Sequence, residues 1–227
     1  MSLFDIDNTI NIDSNSTPRL RVNEIHKVQL KEVEAQTLKG KDSKEYKVIY
    51  LKFQNDEGSI YEQRFFAPTA TEATTIGTYG KQASDTTQFR YSVQHLIEGI
   101  NPKLFQEIKD GKKFEIKTWD EMRTFVVKAL LPGLNTNVYL KLLADNKGYA
   151  TIPKYPVGMS KEGNPFMKTR FVASETQQAE KPILFTEKEK KDMEAQAKAA
   201  ESKPTRMDDV DFEKGAGVKA NDKDFDI

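Results

Sequence analysis

Few residues in this chain have the types and spacing that acid–base, metal or covalent chemistry needs. It has two histidines, His26 and His95, and no cysteine. The missing thiol removes disulfides, thiolate metal sites, iron–sulfur clusters and cysteine nucleophiles together, and fits a reducing compartment. The histidines fall in a strand pattern and a helix pattern, with no partner ligand at metal spacing, no nucleophile elbow and no paired carboxylates nearby. Each reads as a structural residue. The stretch Gly77-Thr78-Tyr79-Gly80-Lys81-Gln82 is superficially like a phosphate loop, but that motif requires glycine at Thr75 and Ser or Thr at Gln82. The expectation is a non-enzyme with no metal and no cofactor.

What does recur is tyrosine and lysine at alternate strand positions. Lys27 and Lys31, then Tyr46, Tyr50 and Lys52, then Tyr139 and Lys141 come from three separate strand-like runs. Rings that accept stacked bases and ammonium groups that meet phosphates are what a sequence-tolerant single-strand binder uses. The same tyrosines also suit a half-buried sheet, and helices laid over this face would turn them into core. Alternation alone leaves both arrangements open.

The elements that must position these residues centre on residues 46–66. Two runs rich in aromatic and β-branched residues, Tyr46–Phe53 and Ser59–Phe66, flank Asn55-Asp56-Glu57-Gly58, a hairpin signature. Ile49, Leu51 and Phe53 share one face; Tyr46, Val48, Tyr50 and Lys52 share the other. A long first strand over residues 20–38 puts Val28 and Leu30 opposite Lys27, Gln29 and Lys31. The polar link 39–44, with three lysines, joins it to the hairpin.

Three helices follow. Asp85 with Gln88 forms a capping-box pattern before Phe89, Val93, Leu96 and Ile97; Asn101-Pro102 opens a short second helix; Thr118 with Glu121 caps a third that carries Trp119, Met122 and Val126. Residues 112–117 are expected to form a short strand between the second and third helices. Strands resume at Asn137, with Val138, Leu140 and Leu142 opposite Tyr139, Lys141 and Leu143, and again over 149–153 and 168–172. Thr186 with Glu189 starts a Glu-, Lys- and Ala-rich helix with little to pack. The fold class expected is α+β, mainly β.

Composition divides the chain. At 37% hydrophobic and 31% charged over 227 residues, the whole cannot be one core. The formal charge is zero, but residues 1–17 carry three acids and no base, 18–173 carry 25 bases against 18 acids, and 174–227 carry 10 bases against 14 acids. The expected organisation is a mobile arm at 1–17, a nucleic-acid-binding domain at 18–173, a polar helical linker at 174–203 and a disordered acidic tail at 204–227. No run approaches the ~20 apolar residues of a membrane helix and no signal-peptide pattern opens the chain, so a cytoplasmic protein with no membrane partner is expected.

Three stretches carry a family likeness: YKVIYLKF at 46–53, VYLKLLADNKGYATIP at 138–153, and the acidic end Asp224-Phe225-Asp226-Ile227. Together they resemble the single-stranded DNA-binding proteins of phage replication, which are built on an OB fold, with the body likeness covering 18–173. The resemblance implies a five-stranded OB-like barrel with a helical insertion between strands 3 and 4, three helices where one is usual. It implies sequence-independent single-stranded DNA binding in phage DNA replication, recombination and repair, in the host cytoplasm. It implies, too, that Asp222, Asp224, Phe225, Asp226 and Ile227 recruit a polymerase, helicase or primase. The tip departs from the bacterial pattern, which ends in proline and then phenylalanine. Self-association is a further expectation, and the alternative is a phage structural or packaged virion protein that uses the β body as an assembly module. The triplet Phe4-Asp5-Ile6 recurs as Phe225-Asp226-Ile227.

Overall fold

The computed structural model describes residues 17–40, 43–68, 74–75, 81–82, 84–154 and 156–201. The chain divides into two units, a body that runs to Thr186 and a second unit from Glu187. The described part of the second unit is a helix, Glu187–Glu201, whose residues are mostly exposed.

The body is mixed α/β, with strands the more numerous elements, and it is built around one strand. That strand, β1 (Glu24–Lys39), pairs antiparallel with β6 (Asn137–Ala144) over its first half and with β2 (Glu45–Gln54) over its second. A strand that serves different neighbours at its two ends forces the sheet to coil, and the result is a curled antiparallel half-barrel. The strand β3 (Ile60–Phe65) extends the sheet beyond β2, and β7 (Ala150–Thr151) and β10 (Val172–Ser174) pair with β6. Segment 18–20 runs along the free edge of β3, with Leu20 N–H donating to Ile60 O at 3.0 Å and Ile60 N–H to Pro18 O at 2.8 Å.

Sequence phase explains a bulge in β1. The pairing shifts between Leu30 and Glu32, leaving Lys31 as the extra residue. Before it the inward residues are Val28 and Leu30; after it Val33 pairs with Leu51 on the same side. The bulge keeps apolar side chains inside as their phase slips by one.

The inner face is closed by α1 (Asp85–Ile100) and α3 (Trp119–Leu130). Phe89, Val93, Leu96, Ile97, Val126 and Leu130 meet Val28, Leu30, Ile49, Leu51, Phe53, Val138, Leu140 and Leu142, all buried in one cluster. Burial of each such side chain contributes about 1.5–3 kcal/mol, which makes this face the main source of stability. α3 also docks by donating to strand carbonyls, Trp119 Nε1 to Lys47 O at 2.8 Å and Arg123 to Val48 O and Gln36 O at 3.1 and 2.8 Å. The short α2 (Pro102–Lys109), capped by Asn101, lies between them in sequence.

Some sequence expectations are corrected here. The cap of α1 is Ser84, which accepts from Thr87 N–H; Gln88 instead bonds both backbone groups of Val157, because it faces a second small sheet. That sheet, of β4 (Thr74–Thr75), β5 (Lys81–Gln82), β8 (Val157–Met159) and β9 (Pro165–Met167), uses strands too short for alternation to register. Residues 112–117 form no strand; Phe114 packs on Phe125 at 4.8 Å between ring centres instead. The strand expected over 168–172 is displaced, with β9 ending before it and β10 starting at its last residue. Residues 174–186, expected as linker, belong to the body: α4 (Glu175–Glu180) follows β10 directly, Gln177 donates to Glu98 O at 3.2 Å, and Ile183 is buried. No helix among the described residues is long and apolar enough to cross a membrane.

Candidate nucleic-acid interface

The sheet's other face, away from α1 and α3, carries the residues singled out in the sequence. Alternation puts Lys27, Tyr46, Tyr50, Lys52, Tyr139 and Lys141 on it, with Lys31 at the bulge. Register then decides their neighbours. Tyr50 lies between Glu34 on β1 and Arg64 on β3, Lys52 between Glu32 and Glu62, and Lys27 opposite Tyr139.

Carboxylates neutralise two of the four lysines, Lys27 and Lys52. Lys52 donates to Glu32 at 2.7 Å and Lys27 lies 2.6 Å from a Glu175 carboxylate oxygen; each carboxylate raises its lysine above the usual ammonium range. Lys31 donates to Gln29 Oε1 at 2.6 Å and to Asn135 Oδ1 at 3.0 Å. Tyr50 is buried. Its hydroxyl donates to Glu62 Oε1 at 2.7 Å, and burial, then Glu62, pushes its pKa up. Glu62 also accepts from Arg19 at 2.9 Å, and the Tyr50 and Arg19 donors hold it below the usual carboxylate range.

Lys141 is the clearest correction. It is 0% exposed, its Nζ donates to Thr169 Oγ1 and, at 3.1 Å, to Leu184 O, and it sits 5.5 Å from the centre of the Phe185 ring. The segment 181–186 closes this end of the face, with Leu184 43 positions beyond the Lys141 it covers, so Lys141 cannot meet a phosphate. Beside it, His95 stacks on Phe171 at 5.3 Å, and burial, then the cations Arg170 and Lys141, push it down to about 4. Its Nδ1 has no hydrogen-bond partner among the described residues. Tyr139 is half-buried.

The β2–β3 end of the same face stays open. Tyr46 is 40% exposed and Phe66 53%, and their rings meet edge to face at 6.3 Å. One step along, the Arg64 guanidinium lies 5.0 Å from the centre of the Tyr50 ring, its own side exposed. Lys39 and Lys44 are exposed where β1 hands over to β2, next to this end. Two rings and a guanidinium thus share this open end of the face, with Lys44 two residues before Tyr46. Phe66 and Arg64 were missed from the sequence, although counting alternate residues out from the Asn55–Gly58 turn pairs Tyr50 with Arg64 and gives both.

Among the described residues no group of three or more acidic or histidine side chains is arranged to hold a metal ion. Asp222, Asp224, Phe225, Asp226 and Ile227, the arm before Thr17, and Lys41 of the lysine loop lie outside the described residues. Comparison with known protein families, with curated proteins and with solved structures found no match.

Proposed function

We propose that this chain binds single-stranded DNA without sequence preference, as an OB-like fold with a helical insertion between its third and fourth barrel strands. The observation that carries the reading is the exposed Tyr46–Phe66 ring pair with Arg64 beside it, on the outer face of a coiled sheet. The order of the barrel strands supports the OB assignment: β1, β2 and β3, then helices, then β6 and β7, with β1 shared between β2 and β6.

The face favours one polarity of contact. Glu32, Glu34 and Glu62 repel phosphate from the middle of the sheet, so the backbone of a bound strand runs past Lys44 and Arg64 while its bases turn toward the rings. Stacking contributes about 1–3 kcal/mol per base and is indifferent to base identity; the cations add a salt-dependent share. In this reading the acidic tail, with Asp222, Asp224, Phe225, Asp226 and Ile227, recruits replication and recombination proteins in a phage-infected cell.

Fluorescence anisotropy with labelled oligo-dT across a salt series tests the proposal. Affinity should fall with salt, and oligo-dT and mixed-sequence strands should bind alike. No binding at low salt sinks it.

A further inference from the structure

A second opening lies at the far edge of the same body. Between α1, α2 and residues 167–186 is a cavity of about 600 Å³. Its walls are apolar and aromatic, with Tyr91, Phe105, Ile183 and Phe185, and buried His95 lines it with an unpartnered Nδ1. At its mouth Leu184 is 71% exposed, next to exposed Met167. Large exposed apolar side chains gathered around a cavity mark a docking surface. The rim is cationic: Lys168 and Lys181 are exposed and have no ion pair among the described residues, and Arg170 is matched by Glu98 at 2.9 Å. A fitting occupant is an extended segment with large apolar side chains on one side and acids on the other.

The chain contains such a segment. In Leu3-Phe4-Asp5-Ile6-Asp7, strand alternation puts Phe4 and Ile6 on one side and Asp5 and Asp7 on the other, and no base occurs before Arg19. The body end of this arm, residues 18–20, is fixed along β3, at one edge of the sheet order β10-β6-β1-β2-β3, whereas the cavity adjoins β10 at the opposite edge. Sixteen residues precede Thr17, a reach of about 50 Å when extended. An arm leaving one edge and a socket at the other make a head-to-tail contact, which propagates along a row of copies.

We infer that the cavity lined by His95, Phe105 and Phe185 receives the Leu3–Asp7 segment of a second copy of this chain, with Phe4 and Ile6 inside and Asp5 and Asp7 against Lys168 and Lys181. This goes beyond DNA binding and is tested without DNA, so the two readings fail separately.

The test is light scattering on the full chain over a roughly hundredfold concentration range. The mass should rise above the 25.9 kDa of one chain. Two charge-reversed forms, Asp5→Lys with Asp7→Lys and Lys168→Glu with Lys181→Glu, should each stay at single-chain mass, and mixing them should restore association. A labelled peptide of residues 1–13 should bind the wild-type chain and lose about tenfold in affinity to the Lys168→Glu, Lys181→Glu form. Wild type that stays single, an arm variant that still associates, or a mixture that fails to recover overturns the inference. So does displacement of the arm peptide by a peptide of residues 219–227 at equal strength, which would make the tail the occupant.

Discussion

One face of one sheet has two fates. At the β2–β3 end, Tyr46, Phe66 and Arg64 stand in solvent; at the β6 end, Tyr139 is half-buried and Lys141 is sealed under residues 181–186. Both ends read alike in sequence, aromatic and basic at every second position. The difference teaches that alternation settles which side of a sheet a residue takes, while a segment from elsewhere in the chain settles whether that side meets water.

The comparison breaks most sharply at Lys141. Truncating it to alanine strands the Thr169 hydroxyl and the Leu184 carbonyl and leaves a void, whereas Lys52→Ala removes only a partly exposed pair with Glu32. Urea denaturation should show Lys141→Ala losing about 3 kcal/mol and Lys52→Ala far less. Equal small losses would mean that the β6 end is as open as the β2–β3 end.

His95 probes the closed end through pH. Its folded pKa is pushed down to about 4 from an ordinary 6.5, so the unfolded chain binds the extra proton first. Its contribution is therefore complete above pH 6.5 and is lost as pH falls toward 4, amounting to about 2 kcal/mol between pH 8 and 5. Urea midpoints measured over that window should decline in wild type and flatten in His95→Leu relative to the same variant at pH 8. An unchanged slope would show the imidazole to be solvated.

At the open end the expected effect lies in binding. Tyr46→Ala and Phe66→Ala should each cost about 1–3 kcal/mol of single-strand affinity with stability nearly unchanged, while Tyr139→Ala should leave affinity alone. Anisotropy on folded variants separates these, and a Tyr139 effect as large as that of Tyr46 would erase the contrast between the two ends.

How far this was legible follows from particular residues. The hairpin, the caps at Asn101 and Thr118, and the inward set Ile49, Leu51 and Phe53 depend on neighbours within a few positions, so the sequence carries them plainly. The burial of Lys141 depends on Leu184 and Thr169, the neutralisation of Lys27 on Glu175, and the displaced cap of α1 on Val157. These partners are 28 to 148 positions away, and no periodicity encodes them. Arg64 and Phe66 belong with the local features, because the Asn55–Gly58 turn fixes their register by pairing Tyr50 with Arg64.

The smallest effect expected is also the one that best separates charge from stacking. Glu32 holds Lys52 at 2.7 Å on the outer face, two strands from Arg64, and adds to the negative charge in the middle of the sheet that a bound strand skirts. Glu32→Gln keeps the side chain's size, removes that repulsion and frees the Lys52 ammonium for a phosphate. The pair is solvent-screened, so stability should barely move. Affinity for oligo-dT should rise a few-fold at low salt, and the slope of log affinity against log salt should steepen by up to about 0.7, the share of one added phosphate contact on a single strand. Phe66→Ala should weaken binding at every salt concentration and leave that slope alone. If Glu32→Gln weakens binding instead, repulsion by the acids in the middle of the sheet is not what sends the strand past Arg64, and that path is the wrong one.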